Sequence, residues 1–213
     1  MLIVALTGGI ATGKSVVAEV LKEKGCYIHS ADQVAHRLMA PGKPAWRKII
    51  AHFGKEILNS DQTINRAKLG DRLFSNPAER NFLNSVVHPL VLKKKKEIIQ
   101  KLSRTGRYKI FISEAALTIE SGFARFFDKI IVVQCSRQIQ ILRLMKRDHI
   151  TRKEALKKIH AQMPAREKRK YADYVIDSSK MPDQTIAQTR ELFKSLLRDY
   201  ELKAKSGPPP SPA

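Results

Sequence analysis

The chain has 213 residues, 40 of them basic and 20 acidic, for a formal charge of +20. An apolar share of 43% supports a packed core and excludes a disordered polyelectrolyte. Two cysteines exclude a disulfide scaffold, and no run approaches the ~20 apolar residues of a membrane-crossing helix.

Short apolar segments alternate with helical ones along the chain. Leu2–Leu6 reads as a buried, β-branched strand, and Lys14 to Lys24 as a helix stopped at Gly25. "CYIH" is a second strand. A long helical region from about Asp32 to Ser103 follows, broken at "APGKP", "FGKEILNSDQ" and "SNPAE". Tyr108–Ser113 and Lys129–Cys135 are the third and fourth strands. Gln138 to Arg147 and Arg152 to Ala161 are two basic helices. Tyr174–Asp177 is the fifth strand, and a helix runs from Pro182 to about Lys203. The closing "SGPPPSPA" is too rich in proline to pack and is expected to be a disordered tail. Cys26 and Cys135, each in an apolar run, fit free thiols in a reducing compartment. With no signal-like N-terminus, a cytoplasmic protein is expected.

This alternation predicts an α/β fold, a parallel sheet covered on both faces. The helical stretch between strands two and three is too long for a simple crossover and reads as an inserted subdomain. The two basic helices after strand four read as a second, smaller insert.

The sharpest signal follows the first strand. Gly8-Gly9-Ile10-Ala11-Thr12-Gly13-Lys14-Ser15 fits G-x-x-x-x-G-K-[ST], a phosphate-binding loop. Gly8 and Gly13 permit backbone angles that a side chain disfavours. The loop N–H groups then turn toward phosphate oxygens, joined by the positive end of the helix that begins near Lys14. Lys14 is expected to reach the β- and γ-phosphates, and the Ser15 hydroxyl to ligate Mg²⁺. The nucleotide site therefore spans Gly8 to Ser15 and extends to Val16. The loop alone leaves the reaction open, because motors, GTPases, translocases and small-molecule kinases share it. No N-K-x-D is present to favour guanine. Glu114, closing strand three, reads equally as a second acidic element on the metal side or as a solvated strand end.

Asp32 closes "HSAD" after strand two, at the carboxyl edge where parallel sheets bind ligands. It can orient an attacking hydroxyl, and it can equally stabilise the first turn of the next helix, since Ser30-Ala31-Asp32-Gln33 matches a capping box. Arg143 to Lys170 holds eleven basic and three acidic residues. Arg143 and Arg147, four apart, fall on one helical face and can clamp a triphosphate; a solvated surface or a nucleic-acid patch are the alternatives. Only one aromatic, Tyr171, adjoins that stretch, so base stacking has little support. "KKKK", Lys93–Lys96, reads as a solvated helix face. His88 precedes Pro89, whose ring suits the first turn of a helix.

Taken together, "LTGGIATGKS", "SAD", "VVHPLV", "IESG", "RLMKRD" and "QMPAREKRKYADYVID", in this order and spacing, resemble the dephospho-CoA kinase family from Met1 to about Tyr200. The resemblance implies ATP-dependent transfer of phosphate to the ribose 3′-hydroxyl of dephospho-CoA, the final step of coenzyme A synthesis. It implies a three-layer P-loop NTPase fold: a five-stranded parallel sheet with a helical acceptor-binding insert and a small lid. The single kinase domain then covers residues 1–205, with a core of 1–33, 104–136 and 171–205. Residues 34–103 form the acceptor-binding helices, 137–170 the lid and 206–213 the tail. By position Asp32 matches the catalytic aspartate, and Arg143 the lid arginine that meets ATP phosphates, supported by Arg147. His88 and Glu120 fall on the acceptor side with Asp32, and Asp177 to Ser179 near the adenine. Three departures are visible: Ser30 for the first acid of D-A-D, "ALTIE" ending in Glu120 for P-L-L-F-E, and Ser178 for an asparagine after "ADYVID". The expected ligands are ATP, Mg²⁺ and dephospho-CoA, with no membrane and no nucleic acid; the oligomeric state is left open. The alternatives are a P-loop NTPase acting on nucleic acid, with salt-sensitive binding and stimulated ATPase activity, and a nucleotide-binding module without turnover.

Overall fold

The computed structural model describes residues 1–206, except the side chains of Phe74 and Ser75, so the tail from residue 207 lies outside the described residues. These residues divide into two compact units, 1–29 with 102–206, and 30–101.

The first unit is built on five strands: β1 (Leu2–Gly8), β2 (Tyr27–Ser30), β3 (Ile110–Glu114), β4 (Lys129–Gln134) and β5 (Tyr174–Asp177), in the order β2-β3-β1-β4-β5. β1 is central. Its residues Leu2–Leu6 lie parallel to Ile110–Glu114, and Val4–Gly8 parallel to Lys129–Val133; β4 in turn runs parallel to β5. A central parallel strand is covered on both faces, which is why "LIVAL" is apolar without alternation.

One face carries Leu2, Val4, Leu6, Ile110, Ile112 and Ile131. It packs on α1 (Lys14–Glu23), through Val17, Ala18 and Leu21, and on α9 (Pro182–Lys205), through Leu192 and Leu196. The other face carries Ala5, Ile130 and Val132 beneath Ile119, with Phe127, Met163 and Ala172 partly buried beside them. Between β4 and β5 run α6 (Arg137–Asp148), α7 (Arg152–His160) and α8 (Ala165–Arg169). Ser136 caps α6, and Thr151 with Glu154 forms a capping box on α7. The five-residue α8 has no separate periodic signal and is hidden in the basic run.

The second unit is helical: α2 (Ala31–Leu38), α3 (Pro44–Phe53), α4 (Arg66–Ser75) and α5, which spans Pro77–Thr105 and so continues past residue 101. Its core is Ile49, Phe53, Ile57, Leu69 and Val87, with Phe82 and Leu83 partly buried against it. The break at "SNPAE" falls between α4 and α5. The expected helix start at Pro89 does not occur: Pro89 lies inside α5, on its exposed side. A proline there removes one backbone donor, and the long helical runs before and after it outweigh that loss.

The Lys93–Lys96 run is solvated except for Lys95, which is 5% exposed, and burial lowers its pKa to about 8. The charged form is therefore disfavoured in the fold, and the unfolded chain binds more protons between pH 8 and 10.5. Stability should accordingly rise with pH across that window. At neutral pH the penalty is on the order of 3 kcal/mol. Lys95→Met is expected to raise the denaturation midpoint at pH 7 and to flatten the stability profile between pH 8 and 10.5. A variant that keeps the wild-type slope would contradict this assignment.

Candidate active site

The strands of the first unit leave the sheet on a common carboxyl edge, and β1 opens there into the loop Gly8–Ser15. Gly8 has φ 151°, and a Cβ on it would lie 2.2 Å from the Val133 carbonyl oxygen. The loop thus hugs the end of β4 as only glycine permits. Gly13, at φ 86°, turns the chain into α1. Gly13 gives α1 no side-chain cap; Val16 N–H donates back to the Gly13 carbonyl at 3.1 Å, and the positive end of the helix begins where the loop ends, a place where an anion is favoured. Ala11 is left-handed at φ 58° without being glycine.

Lys14 folds back over the loop, its Nζ donating to the carbonyls of Gly8 (3.1 Å) and Gly9 (2.9 Å). A flexible ammonium held this way can exchange carbonyl oxygens for phosphate oxygens with little rearrangement. Ser15 and Val16, on the first turn of α1, are exposed. The loop is pinned by Thr12, whose Oγ1 donates to Gly9 O at 2.9 Å.

Arg143 on α6 comes to the same place. Its Nη1 donates to Ser178 Oγ (3.0 Å) and its Nη2 to Ser178 O (2.8 Å). Buried Ser178 in turn donates through Oγ to Thr12 O at 2.7 Å. The residue that departs from the family asparagine thus joins the arginine to the phosphate loop. Asp177 Oδ1 accepts from Ser179 N–H, and Ser179 Oγ from Ser136 N–H, which fixes the turn after β5. Arg147 lies one turn beyond Arg143, but its guanidinium is engaged by Asp148, which also accepts from Lys158. These cations hold the Asp148 carboxyl down at about 2, with the Arg147 hydrogen bond the largest cause. A cavity of about 280 Å³ beside the loop is lined by Gly9, Thr12, Cys135, Gln140 and Gln162 among others. Burial raises the Cys135 thiol pKa, which suits packing rather than nucleophilic chemistry.

Glu120 belongs to the wall of the first unit. Its Oε1 accepts from Lys168 Nζ at 2.6 Å and from Met163 N–H at 3.1 Å. Lys168, fully buried, also donates to Ala116 O at 2.7 Å. Lys168 escapes sequence reasoning as one cation in a basic run; the signal for it is its place in "QMP…K". Removing one partner of such a pair strands a buried charge.

Asp32 and His88 belong to the second unit. Asp32 is exposed on the first turn of α2, where Ser30 Oγ accepts from Gln33 N–H. His88 is partly buried on α5, and desolvation lowers its pKa, so the neutral imidazole prevails at neutral pH. Mg²⁺ suits the loop by donor chemistry: the Ser15 hydroxyl is a hard oxygen ligand. No cluster of three or more metal-binding side chains occurs among the described residues. A cation that arrives with the nucleotide and keeps its waters needs no such cage.

A phosphate loop leaving the central strand of a β2-β3-β1-β4-β5 parallel sheet, with an arginine from the helices after β4, defines a P-loop kinase. A shikimate kinase from Acinetobacter baumannii shares this fold (TM-score 0.54, 15% identity, 93% of this chain and 94% of that one). The dephospho-CoA kinase family model matches residues 2–183, and the chain belongs to that family. The chain is 42% identical over 201 residues to the dephospho-CoA kinase of Carboxydothermus hydrogenoformans, covering 94% of this chain and 95% of its relative. The structure of dephospho-CoA kinase from Campylobacter jejuni superposes with a TM-score of 0.66 at 26% identity, covering 91% of this chain and 96% of that one.

Proposed function

We propose that the residues placed above carry the transfer that defines the family: ATP phosphorylates the ribose 3′-hydroxyl of dephospho-CoA, giving coenzyme A and ADP. The carrying observation is the loop itself, with Lys14 laid across the Gly8 and Gly9 carbonyls and Arg143 tied to Thr12 through Ser178.

In this reading the loop from Gly8 to Val16 holds the β- and γ-phosphates through its amides, except that of Ile10, which donates to Gln162 Oε1, and that of Val16, which donates to the Gly13 carbonyl, and Lys14 follows the charge that grows on the transferred group. Arg143 supplies a second cation fixed before the substrate arrives, which lowers the reorganisation needed in the transition state. Arg147 reaches the phosphates by exchanging Asp148 for them. Asp32 orients the attacking hydroxyl and accepts its proton; a loose transition state demands positioning more than basicity. His88 and Glu120 support the acceptor side, Glu120 through the segment it anchors. Ser15 holds Mg²⁺, which neutralises phosphate charge when bound. The site of action is the cytoplasm; no helix among the described residues is long and apolar enough to cross a membrane.

Purified protein given Mg-ATP and dephospho-CoA should yield ADP together with an acceptor that has gained one phosphoryl group at the 3′ position, read by mass and ³¹P NMR. ADP release that ignores dephospho-CoA but responds to DNA or RNA would favour the nucleic-acid alternative, which the family matches do not support.

A further inference from the structure

The tip of the phosphate loop is held from outside by two glutamines far away in sequence. Ile10 N–H donates to Gln162 Oε1 at 2.8 Å, and Ile10 C=O accepts from Gln140 Nε2 at 2.7 Å. Both backbone groups of a single residue are thus fixed by side chains. The Ile10 side chain and Ala11 also pack on a small core of Ile141, Leu144 and Ala155, with Met145, Ile150, Leu156 and Ile159 around it.

The next residue is Ala11, in the left-handed region at φ 58°. A Cβ makes that conformation strained, and it persists only where the surroundings hold it. The reversal at Ala11 decides where the following amides of Thr12 and Gly13 point. The two glutamines are themselves well seated. Gln140 lies in the first turn of α6, three residues before Arg143, so one helical face meets the loop at Ile10 and, through Ser178, at Thr12. Gln162 precedes Met163, whose N–H is held by Glu120, and Glu120 is held by buried Lys168. Gly9 completes the fit, since a Cβ there would lie 2.7 Å from Gln140 Nε2.

We propose that Gln140 and Gln162 are positioning residues that clamp Ile10 and thereby hold the strained turn at Ala11, keeping the loop shaped for a triphosphate before one binds. They act through the backbone of Ile10, without touching the nucleotide. The inference rests on the nucleotide-binding reading of the loop, and the two can fail separately.

The test is Mg-ADP binding by calorimetry, with steady-state kinetics alongside, on the full chain. Gln162→Met keeps the length of the side chain and removes the acceptor; Gln140→Met removes the donor. Each should weaken Mg-ADP binding and raise KM for ATP by about tenfold, while kcat at saturating ATP and KM for dephospho-CoA stay within about threefold. Ala11→Gly alone alters the nucleotide site itself and supplies the reference against which the double variants are read. Combined with Gln162→Met or Gln140→Met it should restore most of the lost affinity, since glycine adopts the left-handed turn unaided. If one glutamine variant fails to fold, the other carries the same test. Binding within twofold of the parent in both folded variants overturns the proposal. So does weakened binding that Ala11→Gly fails to rescue, because the glutamines would then act by some route other than this turn. A parent protein that binds no Mg-ADP overturns the nucleotide reading itself.

Discussion

Lys14→Ala is expected to abolish measurable turnover, lowering kcat by at least roughly 10²–10³, the loss seen when one preorganised charge-stabilising donor is removed. The ammonium lies 3.1 and 2.9 Å from the Gly8 and Gly9 carbonyls, at the mouth of the loop. As the phosphoryl group moves, charge shifts over its oxygens, and a cation already in place stabilises that change without reorganising water. The side chain is partly exposed, so truncation should leave the fold intact. Lys14→Arg should not rescue, because a planar five-donor fork cannot replace a compact point charge in a loop of this curvature. The measurements are kcat with saturating ATP and dephospho-CoA, and a thermal melt of the variant without ligand. Wild-type kcat in a folded Lys14→Ala protein would remove the lysine from the chemistry and reduce the loop to a strand-to-helix turn.

Each part of this site is legible in the sequence to the extent that its physics is local. "LIVAL" followed by a glycine loop can be read because a strand buried on both faces is apolar throughout, and because the angles at Gly8 and Gly13 are demanded within eight residues. The pairing of Arg143 and Arg147 on one helical face is equally local. Where each guanidinium goes is a different matter. One meets Ser178, 35 residues on, and the other turns to its neighbour Asp148. As a departure from the family pattern, Ser178 puts adenine contacts in question, whereas its hydroxyl bridges Arg143 and the loop. The contacts of Ile10 with Gln140 and Gln162 cross 130 and 152 residues, and no spacing rule reaches them. Lys168 is hidden by composition: one lysine in a basic stretch looks solvated until the sheet places Ala116 and Glu120 against it. Pro89 misleads because a helix-start preference takes no account of the helical pattern on both sides of it.

Asp32→Asn carries the other large expectation: kcat lower by about 10²–10⁴, the range for a positioned general base, with KM for ATP within about threefold. The substitution preserves shape and removes only charge and basicity, so it separates chemistry from packing. Asp32 is exposed in the first turn of α2, and Ser30 rather than Asp32 receives the Gln33 N–H that starts the helix. The aspartate's charge near the positive end of α2 contributes about 0.3–1 kcal/mol at an exposed position. Loss of that contribution moves the melting temperature by a few degrees at most. A general base or hydroxyl-orienting group, by contrast, is missed only once the acceptor is bound. The loss should therefore appear in kcat and in kcat/KM for dephospho-CoA, with Mg-ADP affinity unaltered. Asp32→Glu, which retains the carboxylate but displaces it by one methylene, should fall between the two, because in-line transfer tolerates little misplacement. An Asp32→Asn enzyme with wild-type kcat would leave the residue as a helix-start charge alone, and the acceptor hydroxyl would then have to be oriented by another group.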